Sequence, residues 1–112
     1  MRFSTSQQGT ITVFAVEGAM IATDLKLLAE TMTQKIGRGQ PQMLIDMMAV
    51  PALDSAALEL LADSQEGCRK RGGVIKLTGL NPLCREIFTV TRLERRFEFF
   101  DNQLTALGSF AT

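Results

Sequence analysis

The chain contains no histidine. That removes the commonest general base and metal ligand, and it makes a Ser-His-Asp site impossible. Only two cysteines are present, Cys68 and Cys84. They lack the paired spacing of a zinc site or a redox CxxC, so each reads as a small buried hydrophobe on a helix. The formal net charge is zero, which withholds the long-range attraction of a dedicated nucleic-acid binder and points to no direct contact with nucleic acid. No run approaches the roughly 20 apolar residues of a spanning helix. No apolar leader follows Met1-Arg2, so the expectation is a soluble cytoplasmic chain without membrane insertion, its thiols kept reduced. Gly72-Gly73 lacks the GxxxxGK surroundings of a phosphate loop and reads as a helix stop. Internal repeats and low-complexity segments are also missing.

What is present is ordinary globular material: 112 residues, 46% of them apolar and 21% charged. This suits one domain, residues 1–112, with a core that needs no staples. Two strands are expected at the start, an edge strand carrying Phe3 and a more buried one at Ile11–Val16, with the turn at Gln7-Gln8-Gly9 and an end at Gly18. Thr23-Asp24 is the expected cap of a helix from about Leu25 to Ile36, with Leu25, Leu28, Ala29, Met32 and Ile36 on one face. Met43-Leu44-Ile45 reads as a short central strand ending at Asp46. Pro51 forces a turn, and a side-chain oxygen of Asp54 or Ser55 caps a helix running to about Arg71. Val74–Thr78 is the next strand. Asn81-Pro82 opens a third helix to about Thr91, with Leu83, Ile87 and Val90 as its buried stripe. Phe97–Phe100 is a last short strand, and Asp101-Asn102 caps a final helix with Leu104, Leu107 and Phe110 inward.

The order β-β-α-β-α-β-α-β-α predicts an α/β fold with a mixed, mostly parallel sheet of about five strands and about four helices. Ligands and partners of such folds meet the loops after the strand carboxyl ends, where Asp46, the Pro51 turn and Ser55 fall. Two basic groups, Arg69-Lys70-Arg71 and Arg92 with Arg95 and Arg96, read either as a partner-facing patch or as solvated helix ends. Met47 and Met48 read equally as adaptable surface or core filling.

Several of these pieces together resemble the STAS domain, the fold of bacterial anti-sigma factor antagonists. They are Gly18, Met43-Leu44-Ile45-Asp46, Leu53-Asp54-Ser55-Ala56-Ala57-Leu58, Arg71-Gly72-Gly73-Val74-Ile75-Lys76-Leu77 and Leu93-Glu94-Arg95-Arg96-Phe97-Glu98-Phe99-Phe100. The resemblance covers nearly the whole chain. It implies a non-enzymatic switch without a cofactor or a metal. In such antagonists the serine after the aspartate, here Ser55, is phosphorylated by an anti-sigma factor that is itself a serine kinase. The unphosphorylated form binds that kinase and frees the sigma factor, and a PP2C-type phosphatase resets it. The implied partner surface comprises Ile21, Asp46, Asp54, Ser55, Ala56, Ala57 and Leu58. Three positions depart from the family pattern. Ile21 stands where an aspartate is usual, Asp46-Met47-Met48 replaces Asp-Leu-Ser, and Ala56-Ala57-Leu58 replaces Ser-Gly-Leu. The apolar Ile21, Met47 and Met48 suit a constitutive binding module, such as a scaffold or a cytosolic accessory subunit of a transporter. An enzyme would need a convergent polar cluster, which the sequence lacks.

Overall fold

The computed structural model describes residues 1–111; Thr112, the last residue of the expected domain, lies outside the described residues. Strands β1 (Arg2–Gln8) and β2 (Ile11–Glu17) form an antiparallel hairpin in which Gln8 pairs with Ile11. The two-residue loop is led by Gly9 at φ +61°, a conformation that costs glycine no steric penalty. Helix α1 (Lys26–Ile36), β3 (Gln42–Ala49), α2 (Ser55–Lys70), β4 (Val74–Thr78), α3 (Pro82–Val90), β5 (Phe99–Phe100) and α4 (Gln103–Ser109) follow. The sheet runs β1-β2-β3-β4-β5 in chain order, parallel from β2 onward. Five strands and four helices in the expected order make an α/β fold with a mixed sheet.

Alternation along the central strands sorts side chains between two cores. On one face Phe14, Met43, Ile45, Ile75 and Leu77 meet Leu28 and Met32 of α1, Leu58, Leu61 and Cys68 of α2, and Cys84 and Phe88 of α3. On the other, Ile11, Val13 and Leu44 are covered by Ala106 of α4, with Leu107, Phe110 and Phe100 packed around them. Each fully buried large apolar side chain stabilises the fold by about 1.5–3 kcal/mol. This division explains why β2 carries apolar residues on both faces: it has a helical layer on either side of it.

Five local expectations are corrected. Residues Ala22–Asp24 form a 3-10 turn ahead of α1, which opens at Lys26 without a side-chain cap, so Thr23-Asp24 is not the α1 cap. Strand β3 runs on past Asp46 to Ala49, because Gly18 N–H donates to the Ala49 carbonyl and extends the ladder. In α3 the buried side chains are Cys84 and Phe88, while Leu83 and Val90 are 56% and 67% exposed. Leu83/Ile87/Val90 and Cys84/Phe88 both follow the i, i+3 or i, i+4 spacing of a helix face, and the aromatic one wins. Phe88 packs edge-on against Phe97 and Phe99 at 5.6 and 5.3 Å between ring centres. Only Phe99–Phe100 pair with β4, since Leu93–Arg96 coil into a second 3-10 turn that brings Phe97 into the core. In α4 it is Ala106 that is buried, and Leu104 is 82% exposed.

Candidate functional site

The sheet's carboxyl edge is where α2 begins, and two side chains organise it. Asp54 is extended (φ −105°, ψ −178°), and one carboxylate oxygen accepts from the Ala57 N–H at 3.0 Å as the α2 cap. Its other oxygen accepts from the Ala22 N–H at 2.9 Å, in the loop between β2 and α1. The backbone reinforces the same junction: Asp54 N–H donates to Met20 O, and Met20 N–H donates to Ala52 O. These hydrogen bonds, Ala22 foremost and then Ala57, hold the Asp54 carboxyl below the usual carboxylate range, because they favour its charged form. Asn81 does the parallel job for α3. Its side-chain oxygen accepts from the Cys84 N–H at 2.8 Å, and its amide N–H donates to the Pro51 carbonyl at 3.1 Å. The Pro51–Asp54 turn is thereby fixed to the start of α3 on one side and to the β2–α1 loop on the other.

Ser55 is the first residue of α2 and is exposed. Between the two capping residues the sequence left open, Asp54 is the cap. The Ser55 hydroxyl has no hydrogen-bond partner among the described residues. It therefore stands at the positive end of a 16-residue helix with no structural duty.

The remaining site residues divide. Ala56 is half-buried beside Ser55, and Ile21 is 41% exposed at the mouth of the Ala22–Asp24 turn. Ala57 and Leu58 face the core at 0% and 7% exposure. The added methyl at position 57 thus fills the interior rather than projecting toward a partner. Asp46 also lies near the carboxyl end of its strand, but on the other face of the sheet. One of its carboxylate oxygens accepts from the Met48 N–H at 3.0 Å and the other from the Gln103 side chain at 2.8 Å, so it anchors α4. Met47 is core at 1% exposure, whereas Met48 is 70% exposed.

Sequence reasoning missed an apolar rim. Of the six exposed large hydrophobics among the described residues, all but Val90 lie at the carboxyl edge of the sheet: Leu27, Leu83 and Leu104 in a first helical turn, Ile21 in the loop before α1 and Met48 in the last residues of β3. The available signal was Leu27, which falls outside the expected Leu25, Leu28, Ala29, Met32 and Ile36 stripe; Leu104 gave none, since the sequence places it on the inward face. Of the basic groups, Arg69, Arg95 and Arg96 line one open cleft of about 270 Å³ on the far side of α2. No group of metal-ligating side chains and no helix long and apolar enough to cross a membrane occurs among the described residues.

The family model of the STAS domain matches residues 2–106. No curated protein matches the chain significantly. Among solved structures, the chain is similar to an anti-sigma-factor antagonist (STAS) domain protein from Planctomyces limnophilus. The TM-score is 0.91 at 22% identity, with 98% of each chain covered. The Bacillus cell fate determinant SpoIIAA in its phosphorylated form gives a TM-score of 0.77 at 13% identity, covering 99% of this chain and 100% of that one. A sulfate transporter family protein from Wolinella succinogenes gives 0.75 at 18% identity, covering 91% and 85%. At these identities the likeness carries the fold.

Proposed function

The chain belongs to the STAS domain family, and from that premise we propose that it is a cytoplasmic anti-sigma factor antagonist switched off by phosphorylation of Ser55. Its partners on this reading are an anti-sigma factor serine kinase and a PP2C-type phosphatase, and the protein itself is not an enzyme. The observation that carries the reading is the exposed Ser55 hydroxyl, uncommitted because Asp54 supplies the cap. A phosphoserine adds about 1.5–2 negative charges and three acceptor oxygens. At the first turn of α2 the helix dipole offsets part of that charge, worth about 0.3–1 kcal/mol, so the fold tolerates it. Inside a protein interface, next to the ionised Asp54, the same charge is desolvated and repelled. Like-charge juxtaposition there costs several kcal/mol, and each 1.4 kcal/mol is about tenfold in affinity. Binding is lost while the fold survives. The rigid Pro51–Asp54 turn and the apolar rim of Ile21, Met48, Leu27 and Leu83 give such a partner a preformed contact surface.

Incubation with ATP and the candidate kinase, followed by intact-mass measurement and peptide mapping, tests this. One phosphate on the peptide carrying Ser55, missing in Ser55→Ala, supports it. Tight binding without phosphate moves the function to a constitutive STAS binding module, such as a scaffold or a transporter accessory subunit. The apolar Ile21 and Met48 at the expected polar positions favour that second reading.

A further inference from the structure

The two edges of the sheet end differently. At one, the outer strand β5 is two residues long, and where it stops the Gln65 side chain takes its place against β4. Ile75 N–H donates to the Gln65 side-chain oxygen at 2.8 Å, and the Gln65 amide donates to Ile75 O at 3.1 Å. The β1 edge has no such closure. Its strand is seven residues long, with six of them exposed and Phe3 half-buried, so no helix overhangs it on either face. It pairs with β2 without a bulge and contains no proline and no lysine, the devices that commonly blunt a free edge. Its one charge, Arg2, is held by Glu17 at 2.9 Å.

The hairpin fixes which backbone groups of β1 are free. A two-residue loop is flanked by a pair that exchanges both hydrogen bonds, here Gln8 and Ile11. Bonding direction alternates along a strand, so Ser6, Ser4 and Arg2 also bond to β2. The N–H and C=O groups of Phe3, Thr5 and Gln7 therefore point outward. The far side of β2 gives the same parity. Gly18 N–H donates to Ala49 O of β3, so the even residues of β2 face β3. Its odd residues, the partners of Arg2, Ser4, Ser6 and Gln8, face β1.

These outward residues are spaced symmetrically about Thr5. When two β1 strands pair antiparallel about a two-fold axis at Thr5, Thr5 meets Thr5 and Phe3 meets Gln7 in both directions. Every outward group then gains a partner. Between them Ser4 faces Ser6 and Arg2 faces Gln8, so no like charges are opposed. An axis at Ser4 or Ser6 would instead set Gln7 opposite Met1 or Phe3 opposite Gly9, both outside the strand. The free edge is thus complementary to itself, which suits a second copy of the chain.

From this we propose that the chain forms a two-fold dimer in which the β1 strands of two copies pair antiparallel and join their sheets into one. Each copy has a single edge of this kind, so the assembly closes at two. The β2 strands of the copies run in opposite directions. The two carboxyl edges, and with them the Ser55 hydroxyls, lie at opposite ends of the dimer and stay open to a partner.

The test is sedimentation equilibrium over about 1 µM to 1 mM, the range of a weak to moderate association. Amide exchange of the ¹⁵N-labelled chain is followed at both ends of that range. The expected result is a monomer–dimer equilibrium, with the Phe3, Thr5 and Gln7 amides gaining protection as concentration rises. Those of Ser4, Ser6 and Gln8 are protected throughout by the hairpin. Thr5→Pro removes an outward N–H from each copy and leaves the ladder to β2 intact. Thr5→Arg sets two like charges against each other on the axis. Each variant should weaken the dimer at least about tenfold while the thermal midpoint of the dilute protein is unchanged. If Thr5→Pro lowers that midpoint, Thr5→Arg alone decides, since position 5 is exposed. A monomer throughout the range overturns the proposal. So does a dimer that Thr5→Arg does not weaken, or one in which Phe3, Thr5 and Gln7 gain no protection. Ser55→Ala should leave the equilibrium unchanged, which separates this result from that of the switch.

Discussion

Asp54 and Ser55 are neighbours with opposite obligations. Asp54 joins two segments 32 residues apart, from Ala22 to its own position, while also capping α2. Asp54→Ala is expected to lower the thermal midpoint by a few degrees, and to loosen residues 20–24 in hydrogen exchange. Because the folded carboxyl titrates below its ordinary value, its stabilisation is complete above the unfolded pKa of about 3.9. It is lost as pH falls through the lower folded value. The advantage of wild type over Asp54→Asn should therefore shrink on acidification below about pH 4, followed by thermal melts across that range. Ser55→Ala, by contrast, should change stability by less than about 0.5 kcal/mol while abolishing any phosphate uptake. A large loss of stability in Ser55→Ala would mean that the hydroxyl has a structural role after all. The Asp-Ser pair was legible in the sequence as a helix start. Which of the two caps was not, because both are good N-cap residues, and the choice was made by Ala22, distant in the chain.

At the scale of elements, hydrophobic spacing fixed helix existence and left helix rotation open. The third helix offers the clearest case. Leu83, Ile87 and Val90 match the period as well as Cys84 and Phe88 do, and only the Phe97 and Phe99 rings decide between them. Phe88→Ala should cost about 3–5 kcal/mol, whereas Leu83→Ala should stay within about 0.5 kcal/mol, both read by chemical denaturation. The Cys84 thiol is buried with Phe88, and burial raises its pKa; burial pushes that of Cys68 up to about 11. Both thiols should therefore resist alkylation at neutral pH until the chain unfolds, checked by mass after timed iodoacetamide exposure. Gly73 was legible as a helix stop, but its other role was not. A Cβ there would overlap the Pro41 carbonyl, which accepts from Val74 N–H as β4 begins. The short last strand was over-read for a similar reason: Phe97 is apolar enough for a strand, yet its place is under α3.

For the whole molecule, the sequence pattern carried the element order and the mixed sheet, since strands alternating with helices admit few other arrangements. It carried no sign of which face each helix covers. That three helices share one face and α4 alone covers the other is set by long-range contacts such as Asp46 with Gln103 and Lys76 with Ser109. Lys76 also pairs with Glu98 at 3.0 Å and lies 4.5 Å from the centre of the Phe110 ring. Lys76→Ala should release α4 first, so amides 103–109 should exchange faster while those of β3 and β4 keep their protection.

The strand order has a consequence for how the chain is made. Ile11 pairs with Gln42, Gln42 with Val74, and Leu77 with Phe99, so every strand docks on the one made just before it. Nothing synthesised late has to be inserted between strands already joined. As the chain emerges, the sheet can grow at a single advancing border, each new strand delivered by the helix that precedes it. The face under α1, α2 and α3 is closed strand by strand in this way, whereas the face of Ile11, Val13 and Leu44 waits for α4, the last element made.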